Sequence, residues 1–163
     1  FLNTSGSDNT TLGNQAMYSS TTSSGNTAIG TFALQSNVVG DYNTAVGKNA
    51  LLLSTSNRNT AIGVASLETN TTGAGNTAVG ALALQFNTTG DNNTVLGRQA
   101  GSIAGLNPSN FGAFGYIAGY VGSNSNTIEI GNTSVSWIGG QVGFFNYSDG
   151  RIKKKVQKGG SCE

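Results

Sequence analysis

No histidine occurs anywhere in the 163 residues, and cysteine, proline, methionine and tryptophan occur once each. The missing histidine removes the commonest general base, the Ser-His and Cys-His nucleophile pairs and every imidazole metal site, which takes most enzyme classes with it. Cys162 alone can form neither an internal disulfide nor a multi-thiolate metal site. No cofactor and no metal are expected. Charge is also scarce, at 9% of residues where about a quarter is usual. Five of the eight basic residues, Arg151, Lys153, Lys154, Lys155 and Lys158, crowd near the C-terminus. Residues 1–147 are left with 3 basic and 5 acidic side chains, a poor footprint for nucleic acid. No apolar run reaches the length of a transmembrane helix, so no membrane insertion is expected. The opening FLNTSGSDNT has no basic region followed by an apolar core, so any secretion signal is expected outside this sequence.

What the chain has instead is glycine, at 25 positions, and a repeated phrase. The phrase Asn-Thr-x-aliphatic-Gly recurs from Asn9, Asn26, Asn43, Asn59, Asn76 and Asn93, with spacings of 17, 17, 16, 17 and 17. The aliphatic slot holds Leu12, Ile29, Val46, Ile62, Val79 and Leu96, each followed by Gly13, Gly30, Gly47, Gly63, Gly80 or Gly97. Three positions further on stand Ala16, Ala33, Ala50, Ser66, Ala83 and Ala100. Links such as NVVGDYN, NTTGAGN and NTTGDNN separate the units. Their Gly40, Gly73 and Gly90 suit a left-handed backbone.

A period of 16–17 is too short for helix-pair repeats, and the β-branched, Gly-rich phrases read as strands, two of about five residues per unit. The fold class is therefore all-β, a parallel β-roll or β-solenoid whose units stack about 4.8 Å apart. Stacking in register turns Asn9, Asn26, Asn43, Asn59, Asn76 and Asn93 into an amide ladder. Alternation puts Thr27 and Ile29 on one side of a strand and Ala28 on the other, with the aliphatic residue expected in a buried seam and the threonines beside it. About four apolar side chains per unit bury little against the ordering of 17 residues, which points to a homo-oligomer burying one face against copies of itself. A triangular hexapeptide β-helix needs three hexads per turn where one is found. Hairpins are disfavoured because the repeats contain no Asn-Gly or Asp-Gly.

The phrase NTAIGTFAL resembles the aliphatic-Gly-x-x-Ala repeats of trimeric autotransporter adhesin heads and of phage or virus tail-fibre shafts, whose usual roll unit is shorter, near 14 residues. The resemblance covers residues 9–101, weakens through NFGAFGYIAG and returns at NTIEIGN. The stretch IGNTSVSWIGGQVGFFNYSDGRIKKKV resembles the junction where such fibres enter an endosialidase-type intramolecular chaperone, which trimerises the fibre and then cuts itself off. Its signature falls here on Ser148, Asp149, Arg151 and Lys153. The resemblance implies attack by Ser148 on the bond after Tyr147, with Lys153 as base, made easier to deprotonate by Lys154 and Lys155. Read plainly, SDGR is also a turn and KKK an exposed basic run.

Three regions follow: solenoid repeats at 1–101, degenerate repeats and an aromatic neck at 102–147, and a remnant or start of the chaperone domain plus a tail at 148–163. The aromatics Phe111, Phe114, Tyr116, Tyr120, Trp137, Phe144, Phe145 and Tyr147 are expected to pack as the core of the neck. The resemblance implies a homotrimeric, extracellular fibre segment on a virion or cell surface, attaching to a surface glycan or protein receptor, and not an enzyme apart from autocleavage. A glycan-binding or glycan-cleaving tailspike is the alternative. Its two carboxylates must stand about 5–9.5 Å apart, whereas Asp41 and Asp91 fall three units, about 14 Å, apart. An ice-binding solenoid, suggested by the rank Thr10, Thr27, Thr44, Thr60, Thr77 and Thr94, conflicts with inward-facing threonines.

Overall fold

The computed structural model describes residues 3–119 and 125–134. Its strands are β1 (Thr10–Leu12), β2 (Thr27–Ile29), β3 (Thr44–Val46), β4 (Thr60–Ile62), β5 (Thr77–Val79), β6 (Thr94–Leu96), β7 (Gly112–Phe114) and β8 (Ile128–Ile130). They form one parallel sheet in sequence order, each strand paired with the next at equivalent positions of the repeat, as in Thr27↔Thr44 and Ile29↔Val46. The fold is a β-solenoid of about seven turns, as the repeat predicts. Its regular coils run past residue 101 to Ile130.

Each coil carries one strand of three residues, not two of five. The second apolar stretch folds as tight turns, because two of its residues adopt positive φ. Phe32 and Leu34 stand at φ 62° and 50°, and Leu82 and Leu84 repeat the pair at 62° and 48°. Non-glycine residues there carry strain, which every coil repeats and which inter-coil bonding offsets. Leu34 N–H donates to the Ala50 carbonyl at 3.0 Å, and Leu84 N–H to Ala100 at 3.0 Å.

The interior is narrow. It holds Ala28, Ala45, Ala61 and Ala78 from the strands, Ala33, Ala50 and Ala83 from the turns, and one large side chain per coil, Met17, Leu34, Leu51, Leu67 or Leu84, all fully buried. Where Val95 replaces the strand alanine, Gly101 replaces the leucine. A Cβ on Gly101 would stand 3.4 Å from Val95 and 3.0 Å from Leu84. Val95, Leu84 and Phe111, the last 3.3 Å from that Cβ position, together close the space the leucine leaves.

The strand-end glycines carry the bend. Gly63 has φ 134°, and a Cβ there would meet the Gly80 carbonyl carbon at 2.5 Å, so consecutive coils approach through a rank of glycines. The link glycines act differently from expectation. Gly40, Gly73 and Gly90 lack a left-handed φ, and the left-handed residues of the link are Gly25, Tyr42, Arg58, Gly75 and Asn92. Gly40, Gly73 and Gly90 are required for space, because a Cβ on each would strike a carbonyl of the next coil.

Two buried polar ranks tie the coils together. In the first, backbone N–H of Asn26, Asn43, Asn59, Asn76 and Asn93 each donates to the Oδ1 of the preceding asparagine at 2.8–3.0 Å. The amide of Asn93 also donates to Asn76 Oδ1 at 2.8 Å and to the Pro108 carbonyl at 2.8 Å. This is the expected amide ladder, reinforced by a backbone donor at every step. The second rank closes the links: Asn37, Asn70 and Asn87 donate Nδ2 to the carbonyls of Gly40, Gly73 and Gly90 at 2.8, 2.8 and 3.0 Å. Where serine replaces that asparagine, a second serine replaces the glycine, and the pairs Ser20–Ser23 and Ser54–Ser56 bond at 2.6 and 3.1 Å.

Candidate interaction face

The strands show one side to the interior and one to the surface, and the choice of side reverses the sequence expectation. The alanines are the inward residues, fully buried. The aliphatic rank faces out, with Leu12 67% exposed, Ile62 41%, Leu96 52% and Ile130 50%. The physical reason is room. A coil whose wall alanines face one large residue has no space for a second branched side chain at every level. The threonine rank lies on the same outward side, with Thr10 and Thr94 exposed and Thr27, Thr44, Thr60 and Thr77 half-buried.

The result is a face of two parallel ranks, threonine and aliphatic, repeating about every 4.8 Å along the stack. It carries no charged side chain at either rank from β1 to β8. Beside the aliphatic rank, Val64 and Tyr116 are exposed at 53% each, which widens the apolar strip. Gly112 interrupts the threonine rank and leaves a recess lined by Asn92, Thr94, Asn110, Phe114 and Ile128.

Charge is confined to the borders. Asp41 precedes β3 and Lys48 follows it; Asp91 precedes β6 and Arg98 follows it. Both carboxylates are pinned to the preceding coil, since Asp41 Oδ1 accepts the Ser24 N–H at 2.7 Å and Asp91 Oδ1 accepts the Ala74 N–H at 2.8 Å. Arg98 lies against Tyr116, with its guanidinium 5.6 Å from the ring centre and Nη1 donating to the phenol oxygen at 3.4 Å. On the same border Asn57 holds Asp41's place one coil on, with Arg58 beside it, and Asp8 precedes β1.

Among the described residues no three His, Cys, Asp or Glu side chains gather as a metal-binding group, and no helix is long and apolar enough to cross a membrane. Glu68 is engaged by amides, Asn49 Nδ2 at 2.9 Å and Gln85 Nε2 at 2.8 Å, and both of its oxygens are used in that way. Of the expected neck aromatics, Phe111 is buried whereas Phe114 and Tyr116 are exposed, so the described ones form no single packed core. Ser148, Asp149, Arg151 and Lys153 lie outside the described residues, as do Tyr120, Trp137, Phe144, Phe145 and Tyr147.

The second polar rank and the charged borders were missed by sequence reasoning. Their signals were the Asn-x-x-Gly phrase of the links and the spacing of seven from Asp41 to Lys48 and from Asp91 to Arg98. Comparisons with protein-family models, with curated proteins and with solved structures find no match.

Proposed function

We propose that this chain is a structural segment of an extracellular fibre, on a virion or a cell surface, that assembles as a homotrimer and mediates attachment to a host or cell surface without catalysis of its own. The observation that carries the reading is the uncovered aliphatic rank: a lone coil stack leaves Leu12, Ile62, Leu96, Phe114 and Ile130 exposed, with Ile29, Val46 and Val79 half-buried between them. A continuous apolar strip of this kind marks an association surface, and copies of the same chain are the partner whose coil period matches it. The stalk-like stack, with neutral Asn, Thr and Ser over much of the rest of its surface, suits display of a receptor-binding region, a glycan- or protein-specific site included. The resemblance to fibre and adhesin repeats supports the same reading.

A glycan-cleaving role has less support, because Glu68 is committed to amides and Asp41 and Asp91 are three coils apart. Light scattering of the purified chain at micromolar concentration tests assembly. Three times the mass of one chain is expected, and a monomer overturns the reading.

A further inference from the structure

The threonine and aliphatic ranks repeat identically from coil to coil, so on their own they allow two copies to slide past each other by one coil without losing a contact type. Degenerate registers of this kind need a separate specifying device. The borders of the face carry one. Resting on the assembly reading above, we infer that copies of this chain pack through the β1–β8 face in parallel and without axial offset, the acidic border of one copy against the basic border of the next, and that Asp41 with Lys48 and Asp91 with Arg98 set that register.

The geometry leads there in three steps. Rotating one copy about an axis parallel to the stack brings the border that precedes the strands against the border that follows them, at the same height. Because Asp41 and Lys48 bracket the same strand, as do Asp91 and Arg98, zero offset opposes unlike charges at two levels three coils apart. An antiparallel pairing puts the acidic borders of both copies together, so Asp41 and Asp91 face like charge.

Slippage by one coil loses both matches. In one direction Lys48 comes level with Asn57, which holds Asp41's place, and with the cation Arg58 beside it, and Arg98 with the neutral Ser109 and Asn110. In the other, Lys48 meets Ser24 and Gly25 and Arg98 meets Ala74 and Gly75. A slip of two coils sets Lys48 against Asp8 but Arg98 against Arg58, and a slip of three recovers a single pair but uncovers three levels of the apolar strip. Surface ion pairs add little affinity, but like-charge contact penalises wrong partners, which is the task a repetitive interface sets. The backbone bonds to Asp41 and Asp91 hold both carboxylates at the border before association.

The test relocates charge without changing composition. Exchanging the residues of one border, Lys48→Val with Val64→Lys, moves the cation one coil along, level with Arg58 in the zero-offset assembly. Association measured by sedimentation at low salt is expected to weaken about tenfold. Adding Asp41→Arg with Arg58→Asp moves the anion by the same step and is expected to restore it. Circular dichroism of the dilute variants checks that the coils still fold, since all four side chains sit at the surface or half-buried. Association indifferent to the first exchange, or not restored by the second, overturns the register while leaving assembly intact; a monomeric unaltered chain removes the assembly reading as well.

Discussion

Asn70 and Gly73 share one space: the side-chain oxygen of Asn70 lies 2.5 Å from where a Cβ on Gly73 would stand, and its Nδ2 donates to the Gly73 carbonyl at 2.8 Å. The two positions vary together along the chain, as Asn37 with Gly40, Asn87 with Gly90, Ser20 with Ser23 and Ser54 with Ser56. The smaller hydroxyl leaves room for a second side chain, and the pair then bonds hydroxyl to hydroxyl.

Gly73→Ser alone therefore pits a new side chain against a buried amide and a carbonyl of the next coil, and should cost about 1–3 kcal/mol. Adding Asn70→Ser should recover part of that loss, because it recreates the Ser–Ser arrangement found three coils and one coil earlier. Denaturant melts of the two single variants and the double variant read the coupling directly. Strict additivity would show that the two positions do not share their space.

The inward and outward sets make opposite demands. Leu67 is fully buried and Ile62 is 41% exposed. Leu67→Ala should cost about 2–5 kcal/mol at any protein concentration, as a cavity in a close-packed core does. Ile62→Ala should cost a dilute lone chain about 0.5 kcal/mol or less. It should nonetheless lower the melting temperature where the chain is assembled, so its effect grows with protein concentration. An Ile62→Ala effect independent of concentration counts against burial of the face between copies.

The period and the identity of the ladder residues were legible in the sequence because stacking in register makes equal residues neighbours, and Asn9 to Asn93 recur too regularly for anything else. Which side of the strand faces in was not legible. The rule that the larger apolar residue goes inside presumes a core wide enough to take it. In this coil Leu67 already fills the interior together with Ala61 and Ser66, leaving Ile62 outside. The stretch over Phe32 and Leu34 reads as a strand from its sequence and folds as a turn for a related reason. Their positive φ is imposed by inter-coil bonding, which no local propensity encodes.

The asparagine rank should behave as a unit whose middle matters more than its end. Asn59→Ala strands the buried Asn76 N–H, which donates to Asn59 Oδ1 at 2.9 Å, whereas the Gly73 carbonyl keeps its bonds from Asn70 Nδ2 and Ser56 Oγ at 2.8 and 2.7 Å. An unpartnered buried group costs about 1–3 kcal/mol. Asn9→Ala, at the half-buried end of the rank, also removes an acceptor for the Asn26 N–H, but water can replace it there. Thermal melts should rank Asn59→Ala well below Asn9→Ala; equal losses would argue against water access at the end of the rank.

Autocleavage is tested by mass alone. On the proposed reading of a segment without catalysis of its own, the purified chain should run as one intact mass. A species ending at Tyr147 that disappears in the Ser148→Ala variant would show instead that the serine is active.

The outward position of the threonines reopens one question that inward threonines would have closed. Thr10, Thr27, Thr44, Thr60, Thr77 and Thr94 pair in register along the sheet. They present hydroxyl and methyl groups about every 4.8 Å beside an equally regular aliphatic rank. A face of that regularity could order water against itself if left open, and ice growth would then be inhibited. Covered by neighbouring copies it cannot. Burial of the strip favours covering, because its aliphatic half loses contact with water only when a second copy is present. The assembled protein should therefore show no thermal hysteresis. Hysteresis that is present and vanishes in a Thr60→Lys variant would show that the face stands open to solvent.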